Sequence, residues 1–421
     1  MSSPERQFLA DLFQAAVDAA DPMKALEGQL PDPPKGRTVV VGAGKGAAQL
    51  AQAFETLWPA DFEGVVVTRY GYAAPCKKMR VLEAAHPVPD AAGVAASAAL
   101  KKAVLGLGQD DLVIALICGG GSSLLVDPPE GLTLADLQGL NEALLASGAP
   151  ISIMNDIRKC FSGINGGRLA ELAAPARVVS LMVSDVPGDA PGEVASGPTI
   201  LERPDPAMVR DMIAARGIAL PPACAVYLEG LVHQQPGVGH PESDIRVIAS
   251  AAISLAAAAD MARARGVNAW VLSDRIEGEA RDVALVHAAL GRQVAESGFP
   301  YAAPVVLLSG GETTVTLRGK GRGGRNAEFQ LSLALALERV VGMVTLAADT
   351  DGIDGSEDNA GAFVDSGTAG RMRAAGIDPQ RALQDNDAYS AFASIGDLFV
   401  TGPTGTNVND FRAILIGSIP G

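Results

Sequence analysis

From Arg37 onward, short apolar runs rich in Val, Ile and Leu alternate with stretches whose apolar residues recur every three or four positions. The runs predict strands over 38–41, 64–68, 79–83, 112–117 and 178–184, with helices between them. Strands separated by helices make βα units, and hence a largely parallel sheet. At the N-terminus, Phe8, Leu9, Leu12, Phe13, Ala16 and Val17 mark one face of a helix, with Ser3 as its cap and Pro4 in its first turn. Thr133-Leu134-Ala135-Asp136 has capping-box form and opens a helix through Leu137, Leu140, Leu144 and Leu145, with Gly148 just past its end. The periodicity breaks over 221–244, where Pro221-Pro222, the polar run from His233 and Gly239-His240-Pro241 predict an inter-domain connection. It resumes with strands over 246–249, 268–273, 305–309, 313–317, 344–347 and 397–400 and with helices over 253–265 and 280–297, the latter stopped by Gly298. The chain therefore divides into two α/β domains, 1–235 and 236–421.

Composition narrows the function classes. With 48% hydrophobic residues the chain has material for two cores, and with only 4% aromatics those cores must be aliphatic and alanine-rich. A formal charge of −15 argues against nucleic acid or an anionic membrane, since both need a basic footprint. Small anions stay open, because salt screens long-range repulsion within about 8 Å and a few local cations can make a positive pocket. Cys76, Cys118, Cys160 and Cys224 are too scattered for a zinc site or a disulfide framework, which predicts reduced thiols and a cytoplasmic protein. The N-terminal helix contains acids and lacks a signal-peptide layout, and no stretch has the roughly 18 apolar residues of a membrane helix.

Candidate chemistry gathers where strands run into glycine-rich loops, the usual ligand position in open α/β sheets. Gly42-Ala43-Gly44-Lys45-Gly46 follows a strand and opens a helix. It is not a Walker A loop, and although it resembles a GxGxxA dinucleotide turn, the next strand ends at Thr68-Arg69 without the ribose-binding acid. A lysine in such a turn suits an anion. Gly119-Gly120-Gly121-Ser122-Ser123 offers close backbone approach and two hydroxyls to a phosphate, and it lacks the form of a nucleophile elbow. Arg158 and Lys159 adjoin the break Asn165-Gly166-Gly167-Arg168. Ser184-Asp185-Val186-Pro187-Gly188-Asp189, continuing to Ser196-Gly197-Pro198-Thr199, supplies acids and hydroxyls for a hard cation. Ser309-Gly310-Gly311-Glu312 ends a strand ahead of a loop carrying Lys320, Arg322 and Arg325, and Arg325-Asn326 begins a helix where a guanidinium fork can hold phosphate. Thr345 to Asp365 packs six acids and three glycines behind an apolar run, a charge density that calls for solvation or a cation. Asn407 lies in a last polar loop, 401–410. His86, His233, His240 and His287 are scattered and receive no catalytic role.

Together these runs resemble the glycerate 2-kinase family, also known as the hydroxypyruvate reductase of tartrate degradation, whose C-terminal part is the MOFRL domain. VVGAGKGA, VVVTRYGY, HPVPDAAG, CGGGSSLL, INGGRLA, SDVPGDAPGEVASGPT, SGGETTVTLRGKGRGGRNAEFQL, ADTDGIDG and TGPTGTNVND fall in the family's order over nearly the whole chain. The resemblance implies a Rossmann-like, largely parallel N-terminal domain, a smaller mixed-sheet C-terminal α/β domain and an active site in the cleft between them. It also implies ATP with Mg2+, phosphorylation of D-glycerate at its 2-hydroxyl, and Lys45 and Arg325 as the catalytic pair. Asp189 and Asp351 are then the metal-ligand candidates. A homodimer is compatible with this reading. The chain departs from the family at Cys160, Gly163 and Asn165, where a histidine, an arginine and a lysine are usual, at Tyr72, where a histidine is common, and at Ala327, where a glutamine is common.

Phosphoryl transfer requires positioning and charge neutralisation more than covalent chemistry, which fits glycine loops, cations and acids without a catalytic histidine. The alternative is an NAD(P)H-dependent hydroxypyruvate reductase, supported by the family's second name and the GxGxxA-like turn. A nucleotide-binding regulator without turnover is a third class, and it leaves Lys45 and Arg325 unexplained.

Overall fold

The β-branched and aliphatic runs fold as strands, and those over 38–43, 112–118 and 410–416 are buried on both faces. The computed structural model describes residues 3–186, 188–232 and 243–420. Its contacts divide the chain into an N-terminal unit, Ala25–Ile248, and a C-terminal unit formed by the residues up to Lys24 together with those from Ala249 onward.

In the N-terminal unit the strands are β1 Thr38–Ala43, β2 Glu63–Arg69, β3 Met79–Ala84, β4 Leu112–Cys118, β5 Arg177–Val183 and β6 Ser243–Ala249, in the order β3-β2-β1-β4-β5-β6. Neighbours from β3 through β5 pair in parallel. This is the doubly wound order of dinucleotide-binding folds, in which the direction of winding reverses between β1 and β4. Both strands are buried along their whole length. Val39, Val41, Val113, Ala115 and Ile117 pack on one sheet face with Leu100 and Leu169 of the covering helices.

The C-terminal unit holds β7 Asn268–Glu279, β8 Val305–Thr314, β9 Met343–Asp349, β10 Gly361–Asp365, β11 Leu398–Phe399 and β12 Asp410–Ile416, in the order β11-β10-β9-β12-β8-β7. Its β7–β8 pair is parallel and the other pairs are antiparallel, so the sheet is mixed, as expected. The amphipathic helix Pro4–Ala19 lays Phe8, Leu9, Leu12 and Phe13 against this sheet with Leu255 and Phe411. Ser3 Oγ accepts the Arg6 amide, and Arg6 reaches Asp397 and Asp365, which fixes the helix in place.

The division therefore differs from 1–235 and 236–421 at both ends. The first helix belongs to the C-terminal unit because its apolar stripe is buried there, and the chain changes unit only at the end of β6, between Ile248 and Ala249. The connection expected over 221–244 includes residues 233–242, with His233 and His240, and Pro187 of the acidic turn is likewise outside the described residues. The capping box at Thr133 and Asp136 and the stop at Gly298, with φ of 65°, are as read from the sequence. The separate strand over 313–317 is not. Instead β8 runs through to Thr314, carrying Gly310 and Gly311 inside it, and residues 315–318 are irregular. Strands β10 and β12 had no counterpart in the sequence reading.

Candidate functional site

In the N-terminal unit the site is built at the carboxyl ends of β1 and β4, the point where the strand order reverses. Gly42 lies inside β1, where a β-carbon would crowd Val66 and the carbonyl of Leu116, and Gly44, at φ of 132°, leaves no room for one against the Cys118 backbone. Both glycines thus serve close strand packing, and the turn they allow presents Lys45. The Lys45 amide donates to the Gly119 carbonyl (2.9 Å), and its carbonyl accepts Thr68 Oγ1 (3.0 Å), so its backbone is held between the ends of β4 and β2. Its half-buried side chain has no carboxylate partner among the described residues.

The triple-glycine loop is shaped by what each glycine faces. A β-carbon on Gly119 would collide with the Asp185 carboxylate, and one on Gly121 would press on Ala195. Gly120, at φ of 75°, faces the Lys45 stem and His86 Nε2, each 3.0 Å from where its β-carbon would stand. Ser122 Oγ shares a 2.8 Å hydrogen bond with Ser196 Oγ, and Ser123 Oγ donates to the Gly120 carbonyl at 3.3 Å, so both hydroxyls brace the loop. Ala195, Ser196 and Gly197 are consecutive left-handed residues, with φ of 52° to 57°, a costly conformation for the first two. Asp189 is left-handed as well, at 55°.

His86, assigned only a local structural role from the sequence, lies beside Lys45. Burial, with the charges of Lys45 and Arg69, pushes its pKa down to about 4, so the ring is neutral at pH 7. Arg69 stacks 4.0 Å from the centroid of the Tyr72 ring, in the place where the family's histidine is common. His86 opens the HPVPDAAG run, which gave it no chemical role; the pairing of β2 with β3 brings its segment to this end of the sheet.

Arg158 and Lys159 sit in the helix Ile151–Cys160. Lys159, 2% exposed, is neutralised by Glu193 (2.9 Å) and Asp156 (3.6 Å). Among the described residues Arg158 meets only neutral amides, Asn155 Oδ1 at 3.2 Å and Asn141 Oδ1 at 2.6 Å. The departures from the family pattern fall beside this helix. Gly163 replaces an arginine where a β-carbon would clash with Asp127, whose carboxylate is held by Lys101. Asn165 replaces a lysine and buries its Oδ1 without a partner.

In the C-terminal unit Arg325 opens the helix Arg325–Ala336. Its side chain is tied down by Asp410 Oδ1 to Nε (2.6 Å), Asp349 Oδ2 to Nη2 (2.7 Å) and Glu312 to Nη1 (3.0 Å). Although glycines crowd the loop before it, Arg325 is therefore held in one orientation. Burial opposes the guanidinium charge, but the three carboxylates outweigh it and raise its pKa. Arg412, fully buried, also pairs with Asp410. Asp410 is held below the usual carboxylate range because these two arginines overcome its burial, whereas burial and nearby Asp351 and Asp410 push Asp349 well above it.

Asn326 has no exposed surface and donates to Asp410 (2.9 Å), so it supports the network. Gly310 and Gly311 are packing glycines within β8, the latter against the backbone of Ile276, and they make no phosphate cradle. Asn407 Oδ1 accepts the Asn409 amide in a local turn. The acidic run 345–365 is met largely by the protein itself. Asp354 takes the amides of Asn326 and Ala327, Glu357 pairs with Arg322, and Asp358 accepts Tyr389 Oη. Asp351, half-buried, spends Oδ1 on the Ile353 amide (2.8 Å). Among the described residues no three His, Cys, Asp or Glu side chains group as a metal cage, and no helix is long and apolar enough to cross a membrane.

Burial pushes the Asp354 carboxyl up to about 6 against the pull of two backbone amides. A folded-state value above the unfolded one means that its stabilising share is complete at low pH and fades as pH rises to about 6. Asp354→Asn should therefore flatten the loss of stability between pH 4 and 6 in urea titrations, with no change in slope above pH 7.

A doubly wound N-terminal sheet with a lysine turn at its switch point, and a mixed C-terminal sheet with a caged arginine, define a two-unit α/β protein. Residues 8–229 match a domain of unknown function, DUF4147, and residues 305–410 match the MOFRL family. The D-glycerate 2-kinase of Thermotoga maritima is 37% identical over the full length of both chains. A protein of Agrobacterium vitis provisionally named hydroxypyruvate reductase is 52% identical over 98% of this chain and 94% of its own. The crystal structure of glycerate kinase from Thermotoga maritima superposes with a TM-score of 0.90 at 35% identity, covering 97% of this chain and 99% of that one. The chain belongs to the MOFRL-type glycerate kinase family.

Proposed function

We propose that this protein is an ATP-dependent glycerate 2-kinase, which transfers the γ-phosphate of ATP to the 2-hydroxyl of D-glycerate and gives 2-phosphoglycerate and ADP. The observation that carries this reading is Lys45, a cation without a carboxylate partner among the described residues, facing the triple-glycine loop at the switch point of the sheet. Neutral His86 beside it adds no competing positive charge and leaves Lys45 as the phosphate ligand. Arg325 is assigned to charge that develops on the transferring phosphoryl group, its guanidinium oriented by Asp410 and Asp349.

Mg2+ is the proposed metal. Its oxygen preference and its habit of taking one or two carboxylates with phosphate oxygens make Asp189 the candidate ligand in the N-terminal unit and Asp351 the candidate in the C-terminal unit. When bound, the ion neutralises β- and γ-phosphate oxygens. The C-terminal network sets three carboxylates, Asp349, Asp410 and Glu312, against two guanidinium groups, so it tolerates a further cation. Because Gly119 leaves room for the Asp185 carboxylate, Gly119→Ala should displace Asp185 and with it the neighbouring Asp189, and raise the magnesium concentration needed for half-maximal rate severalfold; an unchanged magnesium titration would speak against Asp189 as a ligand.

The strand order keeps a second reading in view, since it is that of NAD(P)H-binding folds. Against it, Gly44 faces Cys118 rather than open space, and β2 ends in Thr68-Arg69 without an acid. Supplying glycerate, Mg2+ and ATP in one arm, and hydroxypyruvate with NADH or NADPH in the other, separates the two. ADP formation in the first arm is expected; cofactor oxidation in the second with no ADP in the first would overturn the kinase reading.

A further inference from the structure

Arg158 is, besides Lys45, a charge of the N-terminal unit that meets no carboxylate within salt-bridge distance among the described residues. Its neighbour Lys159 takes both nearby acids, Glu193 and Asp156. Arg158 itself binds the amide oxygens of Asn141 and Asn155, which orient the guanidinium without neutralising it. Burial lowers its pKa, yet the side chain keeps an accessible edge. A guanidinium oriented by neutral partners in a partly desolvated place gains most from one more planar anion. With Arg158 the cluster of Lys159, Glu193 and Asp156 holds two cations and two carboxylates, so it has no surplus positive charge for a triphosphate, and the guanidinium fork of Arg158 is what a carboxylate would meet.

Hydrogen bonds connect Arg158 to the glycine loop. Asn155 Nδ2 donates to Glu193 Oε2 (2.7 Å), and Glu193 leads into the left-handed turn whose Ser196 is bonded to Ser122. The helix carrying Arg158 and the loop beside Lys45 are thus braced through one short segment of the same unit.

We propose that Arg158 binds the carboxylate of the hydroxy-acid substrate and so sets the requirement for an acid rather than a neutral polyol. This rests on the kinase reading for the identity of the acid, though not for the presence of a carboxylate site. The same oxyanion chemistry could come from a nucleotide phosphate, and the test separates the two sources.

Calorimetry on the complete protein, without turnover, would compare D-glycerate, its amide and ATP-Mg2+ for the parent, Arg158→Gln and Arg158→Lys. A hydrogen bond to a charged group lost on removal corresponds to about 10- to 100-fold in affinity. Arg158→Gln should weaken glycerate by that factor, bind the amide no worse than the parent does, and leave ATP within twofold. Arg158→Lys should recover part of the glycerate affinity. Thermal melts identify a folded variant; if Arg158→Gln does not fold, the Lys variant's ratio of glycerate to amide affinity decides, and a ratio equal to the parent's overturns the proposal. Weaker ATP with unchanged glycerate would make Arg158 a nucleotide contact, and no change in either ligand would make it structural; both overturn the proposal. If the kinase reading fails while the carboxylate site stands, hydroxypyruvate and its amide will show the same Arg158-dependent discrimination.

Discussion

Arg325→Gln is expected to lower both stability and turnover, each by a large factor. Its guanidinium is the shared partner of Asp410, which is fully buried, and of Asp349, whose side chain is 8% exposed. Removing one side of a buried ion pair leaves the other desolvated and unpaired, at a cost of about 3–5 kcal/mol. Arg412 still serves Asp410, so the damage should centre on Asp349, whose raised pKa lets it take up a proton and recover part of the loss at acidic pH. Arg325→Lys keeps a charge but cannot span Nε, Nη1 and Nη2 contacts at once, so it should be destabilised less. Where both variants remain folded, loss of a charge-stabilising arginine in phosphoryl transfer is expected to reduce kcat by about 10³-fold, with kcat/KM falling equally. Denaturant titration and steady-state kinetics on the same preparations distinguish the effects. Normal turnover in folded Arg325→Lys would leave Arg325 as a structural clamp for Asp410 and Asp349.

Lys45→Ala should behave differently, losing turnover without losing stability. The Lys45 backbone carries the structural hydrogen bonds, to Gly119 and Thr68, and survives truncation of the side chain. Half-buried and without a carboxylate partner among the described residues, the ammonium contributes little to folding, so the melting transition should move by no more than about 0.5 kcal/mol. Turnover should fall by about 10³-fold, since a fixed cation at developing phosphate charge supplies several kcal/mol. His86, relieved of the Lys45 charge, should titrate at a higher pH than the value of about 4 it has in the parent, which NMR of the ring can follow. Unchanged kinetics would reduce Lys45 to a surface charge.

These contrasts show what the sequence could and could not disclose. The Lys45 turn was legible because its determinants are local: an apolar run, small residues and a lysine, then a helical period. Its glycines, however, answer to β4, a strand some 70 residues further on by number, and only the sheet reveals that Gly42 and Gly44 are packing positions. The caged state of Arg325 was hidden for the same reason. Asp349, Asp410 and Glu312 are distant in sequence, and a glycine-rich neighbourhood reads as freedom when its charges are not yet paired. Strand β12 escaped because Asp410 and Arg412 place two charges in a buried run, which breaks the apolar signature although each charge is answered in space. Strand β10 is five residues long and follows the acidic loop directly, too short for its alternation to stand out. The first helix was readable as an element, but its partner sheet lies more than two hundred residues later in the chain.

The most direct test of the account is phosphorus NMR of the protein with ATP, Mg2+ and D-glycerate. The account predicts that the ATP signals give way to ADP and to 2-phosphoglycerate as the only new phosphomonoester. ATP that stays intact, or a product phosphorylated at the 3-hydroxyl, would contradict it.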